Sequence, residues 1–248
     1  MVPDSPDALC GVWEKACSPV GSNPVGALTY RQTKVLFGPR VMAGGFGQFY
    51  MYDRSFQSTD AKTCFDANAF DSVQELEGEF SIVESTADPS GLGQVYKVQL
   101  VWSAIYLTPM SVSFADELEQ STCVCEQWMG NEPPKKQGEK MKWAVGVRQK
   151  VLGVEGMCSP SQCEYVQAWC AKSELGKCGF ELIYRLYSQD QHVRIESVAS
   201  EDNAYPGAGR PGDIMEVYEQ SQICPMQNLV DDAKATLVKE ASRKDVSQ

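Results

Sequence analysis

Along most of the chain, apolar positions recur with the period of a strand rather than that of a helix. Residues 26–56 are rich in β-branched and aromatic side chains and are cut by Gly38-Pro39 and Gly44-Gly45, which predicts two or three strands. Gly44, Gly45 and Gly47 stand between apolar positions and predict a bulge or tight corner, where a side chain would obstruct the sheet. Residues 78–85 and 93–107 are strand-like runs joined by the turn-rich TADPSGL, a hairpin whose second arm is long. In that arm Leu100, Trp102, Ala104 and Tyr106 alternate with Gln99, Val101, Ser103 and Ile105, and both sets are largely apolar. Such a strand either has cover on both faces or lines a cavity. Residues 140–154 and 179–200 supply further strands, with a turn at SQDQ in the latter, and residues 213–220 the last. The total is roughly eight to ten strands, the range of small closed barrels and two-sheet sandwiches.

Two segments depart from this pattern. Ser159-Pro160-Ser161-Gln162 is a capping box with proline at the first helical position, and Gly176 is a natural stop. On that helix Cys163 and Cys170 are two turns apart, about 10.5 Å along the axis, beyond the reach of a disulfide between them. Pro225 opens a second helix, on which Leu229, Val230, Ala233, Leu237 and Ala241 form an apolar stripe. With no internal repeat and no sharp shift of composition, residues 1–248 are expected to form a single β-domain. It carries a Cys-rich helical insertion at about 155–180 and a C-terminal helix at about 225–243.

Cysteine content changes the picture more than overall composition does. Cys10, Cys17, Cys64, Cys123, Cys125, Cys158, Cys163, Cys170, Cys178 and Cys224 form an even set with neither zinc-ribbon nor redox C-x-x-C spacing, beside one histidine in the chain. All ten are therefore disulfide candidates, up to five bonds of open connectivity, and no metal site is expected. Disulfides imply an oxidising compartment, secreted or an organelle lumen. The first ten residues have no basic and apolar leader pattern, so a leader is expected to be absent from this chain. No apolar run approaches the roughly 18 residues of a membrane-spanning helix, and no N-x-[ST] sequon occurs. The net charge of −11 argues against nucleic acid and anionic membrane surfaces, leaving neutral, apolar or basic partners.

Candidate chemistry is sparse. Gly207, Gly209 and Gly212 spell a dinucleotide fingerprint, but Pro211 interrupts it and a strand follows where a helix is required, so the stretch reads as a loop. His192 lies on a strand face with no nucleophile motif in the chain, which favours a surface or packing role. Glu75, Glu77 and Glu79 would share one face of a strand; Asp116, Glu117 and Glu119 form a second acidic group. Bunched carboxylates support acid–base chemistry when burial raises a pKa, but in so acidic a chain they read first as solvated faces. Cys123 and Cys125 adjoin Glu126, which disfavours thiolate and fits structural half-cystines. No catalytic residue and no cofactor is assigned. Among the dense aromatics, Tyr50, Tyr52, Trp102, Tyr106, Trp143 and Tyr184 are the candidates to line a ligand pocket.

Gly11-Val12-Trp13 opens the first predicted strand, antiparallel strands follow, and a helix ends the chain. In this the chain resembles the lipocalin (calycin) family. The resemblance implies an up-and-down eight-stranded barrel whose tryptophan, Trp13, closes one end under an arginine from a late strand. Arg185 is the first candidate for that arginine and Arg148 the second, through a cation–π contact. The function it implies is binding or carriage of a small apolar ligand: a pigment, lipid or terpenoid. The alternatives are a two-sheet sandwich serving as a structural or protein-binding subunit of a lumenal or extracellular complex, and an enzyme acting on a bound lipid or pigment through carboxylates.

Overall fold

Strand-forming sequence dominates the observed fold. A computed structural model describes residues 7–22, 28–41, 45–58, 70–87, 93–120, 143–152, 179–189, 192–198 and 216–224. In chain order the strands are β1 (Gly11–Ser22), β2 (Leu28–Val41), β3 (Phe46–Ser58), β4 (Ser72–Ala87) and β5 (Gly93–Pro109). Then come helix α1 (Val112–Gln120) and the short β6 (Gln149–Leu152), followed by β7 (Gly179–Gln189), β8 (His192–Val198) and β9 (Glu216–Ile223). Each pairing is antiparallel, and β1 bonds to β2 on one edge and to β9 on the other. The ring β1-β2-β3-β4-β5-β7-β8-β9 therefore closes on itself, which removes the unpaired edges of an open sheet and rules out the two-sheet sandwich. One edge of β5 follows β4; the other is shared by β7, along Gly93–Val101, and β6, along Ile105–Leu107.

Register sorts the side chains into rows. Trp13, Val35, Met51, Leu76 and Ile105 are successive cross-strand partners, and all belong to one buried core. Because side chains alternate along a strand, this is the inner face, and Val12, Leu36, Tyr50 and Glu77 form a row of the outer face. The two apolar faces of β5 have a local cause. Glu77 pairs with Ala104 and Gly78 with Trp102, so Ser103 is an extra residue in a bulge, its hydroxyl donating to the Glu77 carbonyl at 3.1 Å. The bulge resets the alternation and brings Trp102 and Ile105, three residues apart, to the same inner face. Gly78 is required there, since a Cβ would stand 2.1 Å from the Val101 carbonyl oxygen.

The seam between β1 and β9 is stapled. Gly11 pairs with Ile223, and the next residue outward on each strand forms the disulfide Cys10–Cys224. Cys17, within β1, is also disulfide-bonded. Gly11 begins β1 at φ 145°, in the range that L side chains rarely adopt, which accounts for glycine at the first motif position.

Two expectations change. Of residues 140–154, only Gln149–Leu152 is strand among the described residues, and Val145-Gly146 is a turn. Helix α1 falls where no helix was expected. The proposed Cys-rich insertion and C-terminal helix lie outside the described residues.

Candidate functional site

The inner wall of the barrel changes character along its length. Near the start of β1 it is aromatic: Phe37 meets Phe49, Phe80 and Tyr184 edge-to-face at centroid separations of 5.1, 5.0 and 5.5 Å, and Phe49 meets Trp102 at 5.0 Å. Such ring pairs add about 0.5–1.5 kcal/mol each beyond the area they bury. The middle row, from Trp13 to Ile105, is aliphatic apart from the indole, whose N–H donates to the Leu9 carbonyl at 2.8 Å. The next row is different. Lys15, Thr33 and Asp53 are successive partners on β1, β2 and β3, and all three are buried. Burying two opposite charges costs several kcal/mol each unless they are compensated, and both residues have interaction partners. The row thus gives the barrel a polar layer at the end where β5 finishes.

That end is covered. The Ser111 hydroxyl caps α1 by accepting the Phe114 N–H at 3.2 Å, and Ala115 and Leu118 turn into the core. Residues 143–148 cross beside the helix. The Trp143 amide donates to Glu119 at 3.1 Å and the Gly146 amide to the Pro109 carbonyl at 2.7 Å, while the Trp143 ring is buried in the same core.

On the outer wall a polar clamp holds this segment to the barrel. Arg148 reaches both oxygens of the buried Glu75 carboxylate, Nε to Oε2 at 2.5 Å and Nη2 to Oε1 at 3.1 Å. Its guanidinium carbon lies 3.3 Å from the centroid of the Tyr106 ring. Tyr50 donates its hydroxyl to Glu75 Oε1 at 2.5 Å. Burial, reinforced by the Glu75 charge and hydrogen bond, holds the Tyr50 phenol well above the usual tyrosine range. Tyr106 is raised as well, first by burial and then by Glu77. Burial opposes the Arg148 charge, but its hydrogen bond to Glu75 and that carboxylate's charge outweigh this and raise the guanidinium further.

A pH dependence follows from Tyr50. Above about pH 10, the ordinary tyrosine value, the unfolded chain releases a proton that the folded chain keeps. The stability linked to Tyr50 is therefore full below that pH and falls as pH rises above it. Urea midpoints measured across the alkaline range should decline less steeply for Tyr50→Phe than for the native protein; parallel curves would refute the assignment.

The six aromatics expected to share a pocket do not sit on one side of the wall. Trp102, Trp143 and Tyr184 belong to the inner core, whereas Tyr50, Tyr52 and Tyr106 lie on the outer face with Glu75. The arginine expected over Trp13 is corrected too. Arg185 alternates with the inward Tyr184 and Leu186 and so faces outward, and Arg148 stacks on Tyr106. Glu75, Glu77 and Glu79 do share a face, but it is the outer one, and Arg148 binds the first two. Asp116 and Glu117 are exposed on α1, and His192 is exposed at the start of β8. The Lys15–Thr33–Asp53 row was not anticipated, although each member stands two residues from an inward neighbour, Trp13, Val35 or Met51. Among the described residues no helix is long and apolar enough to cross a membrane. No protein-family model matches this chain, and no curated protein matches it.

Proposed function

We propose that this protein is a lipocalin-like barrel that binds or carries a small, largely apolar ligand. The observation that carries this reading is the inner wall: a closed ring of eight strands, aromatic at one end, ending in a buried polar row beneath a helical cap. Small-molecule sites combine apolar walls with a few placed polar groups, and small barrels take a ligand at their mouths. Rings fill the end near the start of β1, so the ligand lies toward Lys15, Thr33 and Asp53, under α1 and Trp143. The disulfide at the seam supports placement in an oxidising compartment, secreted or lumenal.

A second reading, a protein-binding subunit, draws on Val112, Val145 and Val147, which are 67%, 47% and 47% exposed near the capped end. Native mass spectrometry of protein from its source separates the two. A stoichiometric small-molecule adduct is expected; a protein complex without one favours the subunit reading.

A further inference from the structure

We infer that the indole N–H of Trp143 is the ligand's anchoring hydrogen-bond donor, and that the ligand carries a neutral acceptor oxygen, a carbonyl, ether or hydroxyl. The inference rests on the ligand-barrel reading and adds to it the polar group recognised and the atom that recognises it. Trp143 is only 6% exposed, and its Nε1 is buried with no acceptor within hydrogen-bonding distance among the described residues. The comparison inside the same core is Trp13, also buried, whose N–H is satisfied by the Leu9 carbonyl. A buried donor left without an acceptor is costly, and native proteins rarely tolerate one without a role for it.

Its placement fits a ligand. Trp143 belongs to the core that also includes Ala115 and Leu118 of the cap and the inward Ile105 and Leu107 of β5. The segment bearing it is held by contacts that do not use the indole: the Glu119 carboxylate, the Pro109 carbonyl and the Arg148–Glu75 clamp. The donor is therefore fixed in advance, which lowers the ordering cost of binding. The indole is a neutral donor, and a neutral acceptor oxygen satisfies it without bringing an unpaired charge into the buried core around Trp143.

The test uses two compounds of matched shape, 2-acetylnaphthalene and 2-isopropenylnaphthalene, in equilibrium dialysis against the native protein and Trp143→Phe. The ratio of ketone to hydrocarbon affinity should fall about five-fold in the variant, the worth of one hydrogen bond. Independently of any variant, the Trp143 indole N–H resonance, assigned through its backbone amide, should move downfield with the ketone and not with the hydrocarbon. An unchanged ratio, or equal shifts with both compounds, overturns the anchor while leaving a ligand-binding barrel intact. If neither compound binds the native protein, both readings fall.

Discussion

Replacing Trp13 with alanine should lower the stability of the fold by about 3–5 kcal/mol, the range for truncating a fully buried large aromatic. Trp13 is 0% exposed, spans the inner face beside Val35, and satisfies its only polar atom on Leu9. The truncation leaves a cavity that strands on both sides, each bonded in the ring, cannot collapse to fill, and it leaves the Leu9 carbonyl without its donor. Domains hold only about 5–15 kcal/mol in total, so the variant should sit close to the unfolding threshold. For a chain of this length the melting temperature should fall by roughly 6–20 °C. Trp13→Phe keeps most of the volume and loses the hydrogen bond, so its cost should be smaller, about 1–2 kcal/mol. Denaturant titration of both variants checks the order. A loss below about 1 kcal/mol for Trp13→Ala would mean that the residue does not organise the barrel as its burial implies.

The second large effect concerns the seam. Cys10→Ala combined with Cys224→Ala should cost about 2–5 kcal/mol and loosen β9 selectively. The bond joins residues 214 apart in sequence, so it restrains the unfolded chain over nearly its whole length. In the folded state it reinforces a short pairing: β9 follows β1 only from Gly11 to Glu14, whereas β2 follows it from Gly11 to Ser22. Without the bond, opening at this seam should precede global unfolding, and the amides of β9 should exchange faster than those of β3. A denaturation midpoint equal to that of the native protein, with β9 exchange unchanged, would show that strand pairing alone holds the ring shut. Alanine is chosen at both positions so that no single thiol remains to pair with another cysteine.

Both effects act on the glycine–tryptophan stretch at the start of β1. The resemblance carried by Gly11-Val12-Trp13 implied a tryptophan closing one end of a barrel; the structure sets Trp13 in the middle row of the inner wall, on the strand that pairs with β9. Its partner differs as well. The contact comes from Leu9, four residues away, while the arginine proposed from a late strand faces outward because Tyr184 and Leu186 on either side of it face in. Alternation is visible in a sequence, but its phase relative to the interior is set only when the ring closes.

The same limit explains the divided aromatics. Tyr50 and Phe49 are chain neighbours on one strand and must face opposite ways, yet nothing local says which points inward. In β5 the sequence carries apolar residues in both phases, and the extra residue Ser103 decides the matter by resetting the alternation between Trp102 and Ile105. Helix α1 was missed because Asp116, Glu117 and Glu119 read as an acidic run. The signal was present in Ser111 as a cap and in the spacing of Phe114, Ala115 and Leu118.

What the sequence determined by itself is the local chemistry: strand period, turn residues, and cysteines suited to disulfides. These depend on neighbours within a few positions, where backbone sterics and side-chain alternation suffice. Only the tertiary structure decided that β9 returns to β1, that Cys10 joins Cys224, and that Lys15, Thr33 and Asp53 meet inside the wall. It also decided that Trp143 comes to rest beside α1 with its indole donor buried. Each of these joins residues far apart in the chain, and closing such loops is favoured only when the whole ring forms and buries its inner face at once.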